Sequence, residues 1–208
     1  MTRVAILGAG KLGTVLAGLA TRVGHEVRVA GSGDPKFVRL NLSVYAPGAI
    51  AMTADEAVAD AEIVVLAVPL HRVPTVPVDA LAGRIVVDAT NHWVDVDGPL
   101  PEFTEHPGGT SVAVATALPG AKVVKSLNHV AYEDLDAHAR DARRIAIGVA
   151  SNHRDAADAV AEFVASLGFE PVDIGGLDMG VALQPGSRAF GAALSPEALR
   201  RTVEAQIG

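Results

Sequence analysis

The 208-residue sequence contains no cysteine. Disulfides, thiolate catalysis and cysteine-ligated metal are thereby excluded, and no metal site is expected. Aromatic residues are scarce, at 4% against 50% hydrophobic residues overall. The core must then be built mainly of Ala, Val and Leu, a mixture that suits closely packed helices over buried parallel strands. Positive charge is also short: 17 Lys and Arg face 24 Asp and Glu, for a formal net charge of -7. No basic stretch stands out, so nucleic acid is not an expected partner, and an anionic ligand has to be held by local groups rather than by a global field. No apolar run approaches the roughly 20 residues that cross a bilayer, so no membrane partner is expected. Met1-Thr2-Arg3 leads straight into an apolar run without the pattern of a secretory signal, and the expected location is cytoplasmic.

The chain does show a regular alternation. Residues 4–7 form a short apolar run that ends in glycine, as a buried parallel strand does. A helical pattern over residues 11–23 puts Leu12, Val15, Leu16, Leu19 and Ala20 on one face and ends at Gly24. Residues 26–30 read as a second strand, followed by the breaker cluster Gly31-Ser32-Gly33-Asp34-Pro35. Further strands are expected at 63–68, 84–88, 122–126, 144–149 and 170–173, and helices at 54–60, 73–81, 110–118, 154–167 and 196–206. Thr53 with Glu56 reads as a capping box, while Pro74 and Pro77 limit where the 73–81 helix can start. A long loop is expected over residues 91–109, and the segment 175–191 is rich in glycine. The alternation implies an α/β fold: a Rossmann-type doubly wound parallel sheet over residues 1–130, with a small C-terminal α/β extension over residues 131–208.

Gly8-Ala9-Gly10-Lys11-Leu12-Gly13 matches G-x-G-x-x-G and sits between a strand and a helix, the context that gives this string meaning. Gly8 allows the tight turn, Gly10 lets the backbone approach a pyrophosphate, and Gly13 lets the helix pack on the strand. The N–H groups of the helix start, from Lys11 and Leu12 onward, face the anion. The end of the second strand ordinarily selects the cofactor, and it carries no acid for the ribose hydroxyls of NAD. Ser32 can bond a phosphate, and Lys36 and Arg39 lie near it in sequence. NADP is therefore the expected cofactor and NAD the alternative, since Asp34 in the same loop would repel a phosphate.

Ligands of open α/β sheets bind outside the carboxyl ends of the strands. Three of those ends bring small polar groups or histidine to one rim: Val68-Pro69-Leu70-His71, Asp88-Ala89-Thr90-Asn91-His92 and Ser126-Leu127-Asn128-His129. Val68, Pro69, Asn91 and Asn128 are the expected nicotinamide-side lining.

Taken together, the glycine loop, Gly31-Ser32-Gly33, Ala67-Val68-Pro69-Leu70-His71, Asp88-Ala89-Thr90-Asn91 and Lys125-Ser126-Leu127-Asn128-His129-Val130 resemble the NADPH-dependent reductases of the deazaflavin coenzyme F-420. The dinucleotide module is also similar to the N-terminal part of pyrroline-5-carboxylate reductases. The resemblance implies hydride transfer between C4 of the nicotinamide and C5 of the deazaflavin, a homodimer, and a small C-terminal lobe over the cleft that contributes to the dimer contact. It also implies that Ser32 holds the adenosine phosphate and that Pro69 and His71 border the nicotinamide. One position departs from the pattern. The family's Arg after that serine is Gly33 here, so either Lys36 or Arg39 takes its part or the preference for NADP is weakened.

Hydride transfer between two bound rings needs positioning and exclusion of water more than acid–base chemistry. A carbonyl or imine acceptor would instead need a proton donor. His71 and His129 are the candidates for that catalytic role, with His92 and Tyr132 behind them. Three functions therefore stand: an NADP(H):F-420 oxidoreductase, an NAD(P)-dependent reductase of a small imine or carbonyl, and a dinucleotide-binding sensor without catalysis.

Overall fold

The computed structural model describes residues 1–207. Strands β1 (Arg3–Leu7) and β2 (Glu26–Ala30) flank helix α1 (Lys11–Arg22), and helix α2 (Pro35–Tyr45) leads to the short strand β3 (Ile50–Ala51). Helix α3 (Ala54–Val58) precedes β4 (Ile63–Leu66); a 3-10 turn (Leu70–Thr75) and α4 (Val78–Leu81) precede β5 (Ile85–Asp88). Short helices α5 (Val94–Asp97) and α6 (Pro101–Thr104) lead to α7 (Thr110–Ala117) and β6 (Lys122–Lys125). The chain closes with α8 (Tyr132–His138), β7 (Ala146–Ala150), α9 (Arg154–Ser166), β8 (Glu170–Gly175), a second 3-10 turn (Leu177–Leu183) and α10 (Pro196–Ile207).

All eight strands join one sheet in the order β3-β2-β1-β4-β5-β6-β7-β8. The β6–β7 pair, at Lys125 and Ala150, is antiparallel, and every other pair is parallel. The order reverses between β1 and β4, which opens a crevice at their carboxyl ends. The central strands are buried on both faces, as their unbroken Val, Ile and Leu runs require. Residues beyond 130 extend this sheet: Val160, Phe163 and Phe169 share one core cluster with Val4, Ile6 and Leu16.

Three local expectations are corrected. The 73–81 helix is two pieces, because Pro74 lies inside the 3-10 turn and Pro77 precedes α4. The 91–109 loop carries α5 and α6. Residues 35–45, to which the breaker cluster assigns no element, are helical: Asp34 caps α2 by accepting the Lys36 N–H at 2.9 Å, and Pro35 stands at the first turn. The Thr53–Glu56 capping box at α3 forms as expected.

Candidate active site

The crevice at the β1–β4 switch is a cleft of about 730 Å³. Gly8, Gly10, Ser32, Val68 and Pro69, all expected at the cofactor, line it together. The glycines divide the work as their surroundings dictate. Gly8 has φ +122°, and a Cβ there would overlap the Ala67 carbonyl. A Cβ on Gly13 would overlap the Gly8 carbonyl, so that glycine sets helix-to-strand contact. At Gly10 a Cβ would meet nothing within 4 Å, so this backbone faces open space. Gly10 is also the N-cap of α1; it provides no side-chain cap, and the first turn holds no acid. The free N–H groups of a 12-residue helix therefore point their partial positive charge at an open cradle, and a dinucleotide pyrophosphate fits it.

The remaining expected residues are placed less uniformly. Leu12 packs against the core, so only its backbone serves the loop. Lys11 lies in a neighbouring groove beside Gly10, with Nζ 5.3 Å from the Tyr132 ring centre; the Tyr132 hydroxyl raises its pKa. Lys36 is not in the cleft. Its Nζ is 2.9 Å from Asp34 Oδ2, and the Lys36 backbone and side chain hold the Asp34 carboxyl below its usual range. Arg39 lines a separate hollow with Glu56 and Arg28. Asn91 and Asn128 bond each other: Asn128 Nδ2 donates to Asn91 Oδ1 and Asn91 Nδ2 to the Asn128 carbonyl, both at 2.9 Å. A third bond, from Asn128 Nδ2 to the Leu183 carbonyl at 2.7 Å, ties the ends of β5 and β6 to the second 3-10 turn.

His129 is corrected outright. It is fully buried, its Nε2 accepts the Gly148 N–H at 3.1 Å, and its carbonyl accepts the Gly191 N–H at 2.7 Å. Burial lowers its pKa to about 4, against a smaller favourable contribution from the Ala189 backbone. The imidazole seats the C-terminal segment on β7, fully buried, and does not line the cleft. His71 remains at the surface rim. Its Nδ1 lies 2.8 Å from Oδ1 of Asp97, whose side chain is fully buried. Burial acts to raise the Asp97 pKa, but the Trp93 N–H, the His71 ring and the His71 N–H together hold it below the usual range.

Three features escaped the sequence reading. Arg72, from the 3-10 turn, lines the cleft with Ser32 and is its one charged lining residue among the described residues. Asp97 needed a contact 26 residues away in sequence to be seen. The ends of β5 and β6 hold a buried ion pair, Asp88 with Lys125. For Arg72 a signal existed: it is the first cation after the Pro69 strand end.

Residues 3–92 match the family described as NADP oxidoreductase, coenzyme F-420-dependent. No curated protein matches the chain. Among solved structures, a hypothetical protein from Sinorhizobium meliloti is 30% identical, covers 94% of this chain and 96% of its own, and superposes with a TM-score of 0.79. An Arthrobacter protein, provisionally assigned as an F-420-dependent NADP reductase, is 24% identical over 94% of this chain and 100% of its own, with a TM-score of 0.73. The pyrroline carboxylate reductase of Plasmodium falciparum, solved with NADP bound, is 12% identical over 87% of this chain and 60% of its own, with a TM-score of 0.57. The last two likenesses establish the Rossmann-type fold.

Proposed function

We propose that the chain passes a hydride between NADP(H) and the deazaflavin coenzyme F-420, a reading supported by the match of residues 3–92 to the family of coenzyme F-420-dependent NADP oxidoreductases. One observation carries the dinucleotide part of the reading: Gly8, Gly10, Ser32, Val68 and Pro69 line one cleft at the β1–β4 switch, against the open N-terminus of α1. The matched family's description supplies the deazaflavin acceptor, and ring-to-ring hydride transfer then asks the protein to hold two planar groups together and keep water out. The nicotinamide, when bound, supplies or receives the hydride at C4. The backbone at Gly8 and Gly10 and the α1 N-terminus hold the pyrophosphate, Ser32 faces the adenosine end, and Val68 and Pro69 form an apolar wall on the β4 side. Mixing the protein with NADPH and oxidised F-420 tests the reading directly. Loss of the visible deazaflavin absorbance supports it; unchanged absorbance with both NADPH and NADH defeats it.

A second reading, an NAD(P)-dependent reductase of a small imine or carbonyl, draws on the His71–Asp97 pair. Asp97 takes one ring nitrogen and leaves the other available to exchange a proton. Under that reading His71→Ala abolishes turnover of the imine or carbonyl while dinucleotide binding persists.

A further inference from the structure

NADP differs from NAD by one phosphate monoester, a dianion near neutral pH. A protein that selects it has to supply hydrogen-bond donors and positive charge where the adenosine end lies. Ser32 supplies a hydroxyl. The next residue, Gly33, supplies nothing, and its φ of +92° is a conformation that a side chain adopts only under strain. Of the two cations near Ser32 in sequence, Lys36 pairs with Asp34, and Arg39 lines a separate hollow rather than this cleft.

Across the same cleft, Arg72 stands on the 3-10 turn that succeeds β4. Its backbone is pinned at both ends: its N–H donates to the Pro69 carbonyl at 2.9 Å, and its carbonyl accepts the Thr75 hydroxyl at 2.8 Å. Its side chain is exposed and, among the described residues, makes no ion pair and no hydrogen bond. A single unpaired guanidinium in an otherwise neutral cleft, on a chain of net charge -7, is the local positive group that an anion there requires.

We propose that Arg72 is the specificity-determining residue for the adenosine phosphate of NADP(H), reaching it from the β4 side of the cleft while Ser32 bonds it from the β2 side. The inference rests on the dinucleotide reading of the cleft and adds to it the residue that distinguishes the two dinucleotides. A guanidinium presents paired N–H groups to a phosphate, which an ammonium cannot copy.

The test is the affinity of the full chain for NADPH and for NADH, measured by titration calorimetry on wild type, Arg72→Ala and Arg72→Lys. Loss of one charge-assisted contact predicts that the NADPH-to-NADH affinity ratio falls roughly tenfold to hundredfold in Arg72→Ala, with Arg72→Lys between it and wild type. Raising the ionic strength should narrow the gap between wild type and Arg72→Ala for NADPH. Equal weakening of both dinucleotides, the result of Arg72 stacking on adenine or touching the pyrophosphate, overturns the proposal; so does an unchanged ratio. F-420 reduction by wild type is read in parallel. A wild-type protein that prefers NADPH through Arg72 but leaves F-420 unreduced refutes the acceptor and not the role of Arg72.

Discussion

Lys125 and Asp88 form an ion pair sealed from solvent at the carboxyl ends of β6 and β5. Both side chains are fully buried, with Nζ 3.2 Å from Oδ2. Nζ also donates to the Thr90 carbonyl at 2.5 Å, and the carboxylate accepts the Thr90 hydroxyl, the Thr90 N–H and the Ser111 hydroxyl. Burial pushes the Lys125 pKa down, and Asp88 counters it. Removing one partner leaves the other charge without its counterpart in the interior. Lys125→Met is expected to cost about 3 kcal/mol or more in urea unfolding. Adding Asp88→Asn should recover part of that loss, because no unpaired charge remains.

The state of His129 gives a pH dependence with a definite sign. Its pKa falls from 6.5 in the unfolded chain to about 4 in the fold, so between these values the unfolded state binds more protons. Its contribution to stability is intact above pH 6.5 and is lost as the pH drops towards 4, by a total of about 3 kcal/mol. His129→Gln, which keeps an acceptor for Gly148, should flatten this part of the stability–pH curve in chemical denaturation.

Two glycine substitutions separate binding from folding. Gly10→Ala places a methyl in the open cradle and should leave the melting temperature within a few degrees while removing most NADPH affinity. Gly13→Ala drives a methyl into the Gly8 carbonyl and should lower the melting temperature strongly. Differential scanning calorimetry with and without NADPH distinguishes the two.

Arginine at position 33 should not be accepted without cost. Gly33 has φ +92°, and an L side chain held in the left-handed region costs about 1–2 kcal/mol. Gly33→Arg is expected to lower the melting temperature by roughly 2–8 °C.

Much of this architecture is written in local patterns. The glycine loop is legible because its spacing, the strand before it and the helix after it agree. The buried strands are legible because parallel strands covered on both faces leave continuous apolar runs. Helix α2 is easily missed although Asp34-Pro35 is a helix-start signal, because the glycines before it read as a turn. His129 misleads for a different reason. A strand end says that a residue is near the rim, not which way it turns; here antiparallel β7 covers that end of β6 and draws the imidazole inward onto Gly148. The reach of Arg72 across the cleft depends on a 3-10 turn bounded by prolines, a geometry that no helical or strand periodicity encodes.

The most direct measurement tracks the hydride itself. NADPH carrying deuterium at the transferable C4 position, incubated with the protein and oxidised F-420 in ordinary water, should deliver the label to C5 of the reduced deazaflavin, read by mass spectrometry and proton NMR. Label at C5 is the result predicted for a cleft that holds the two rings together. Reduced F-420 without the label, or NADPH that keeps its deuterium while bound, would contradict it.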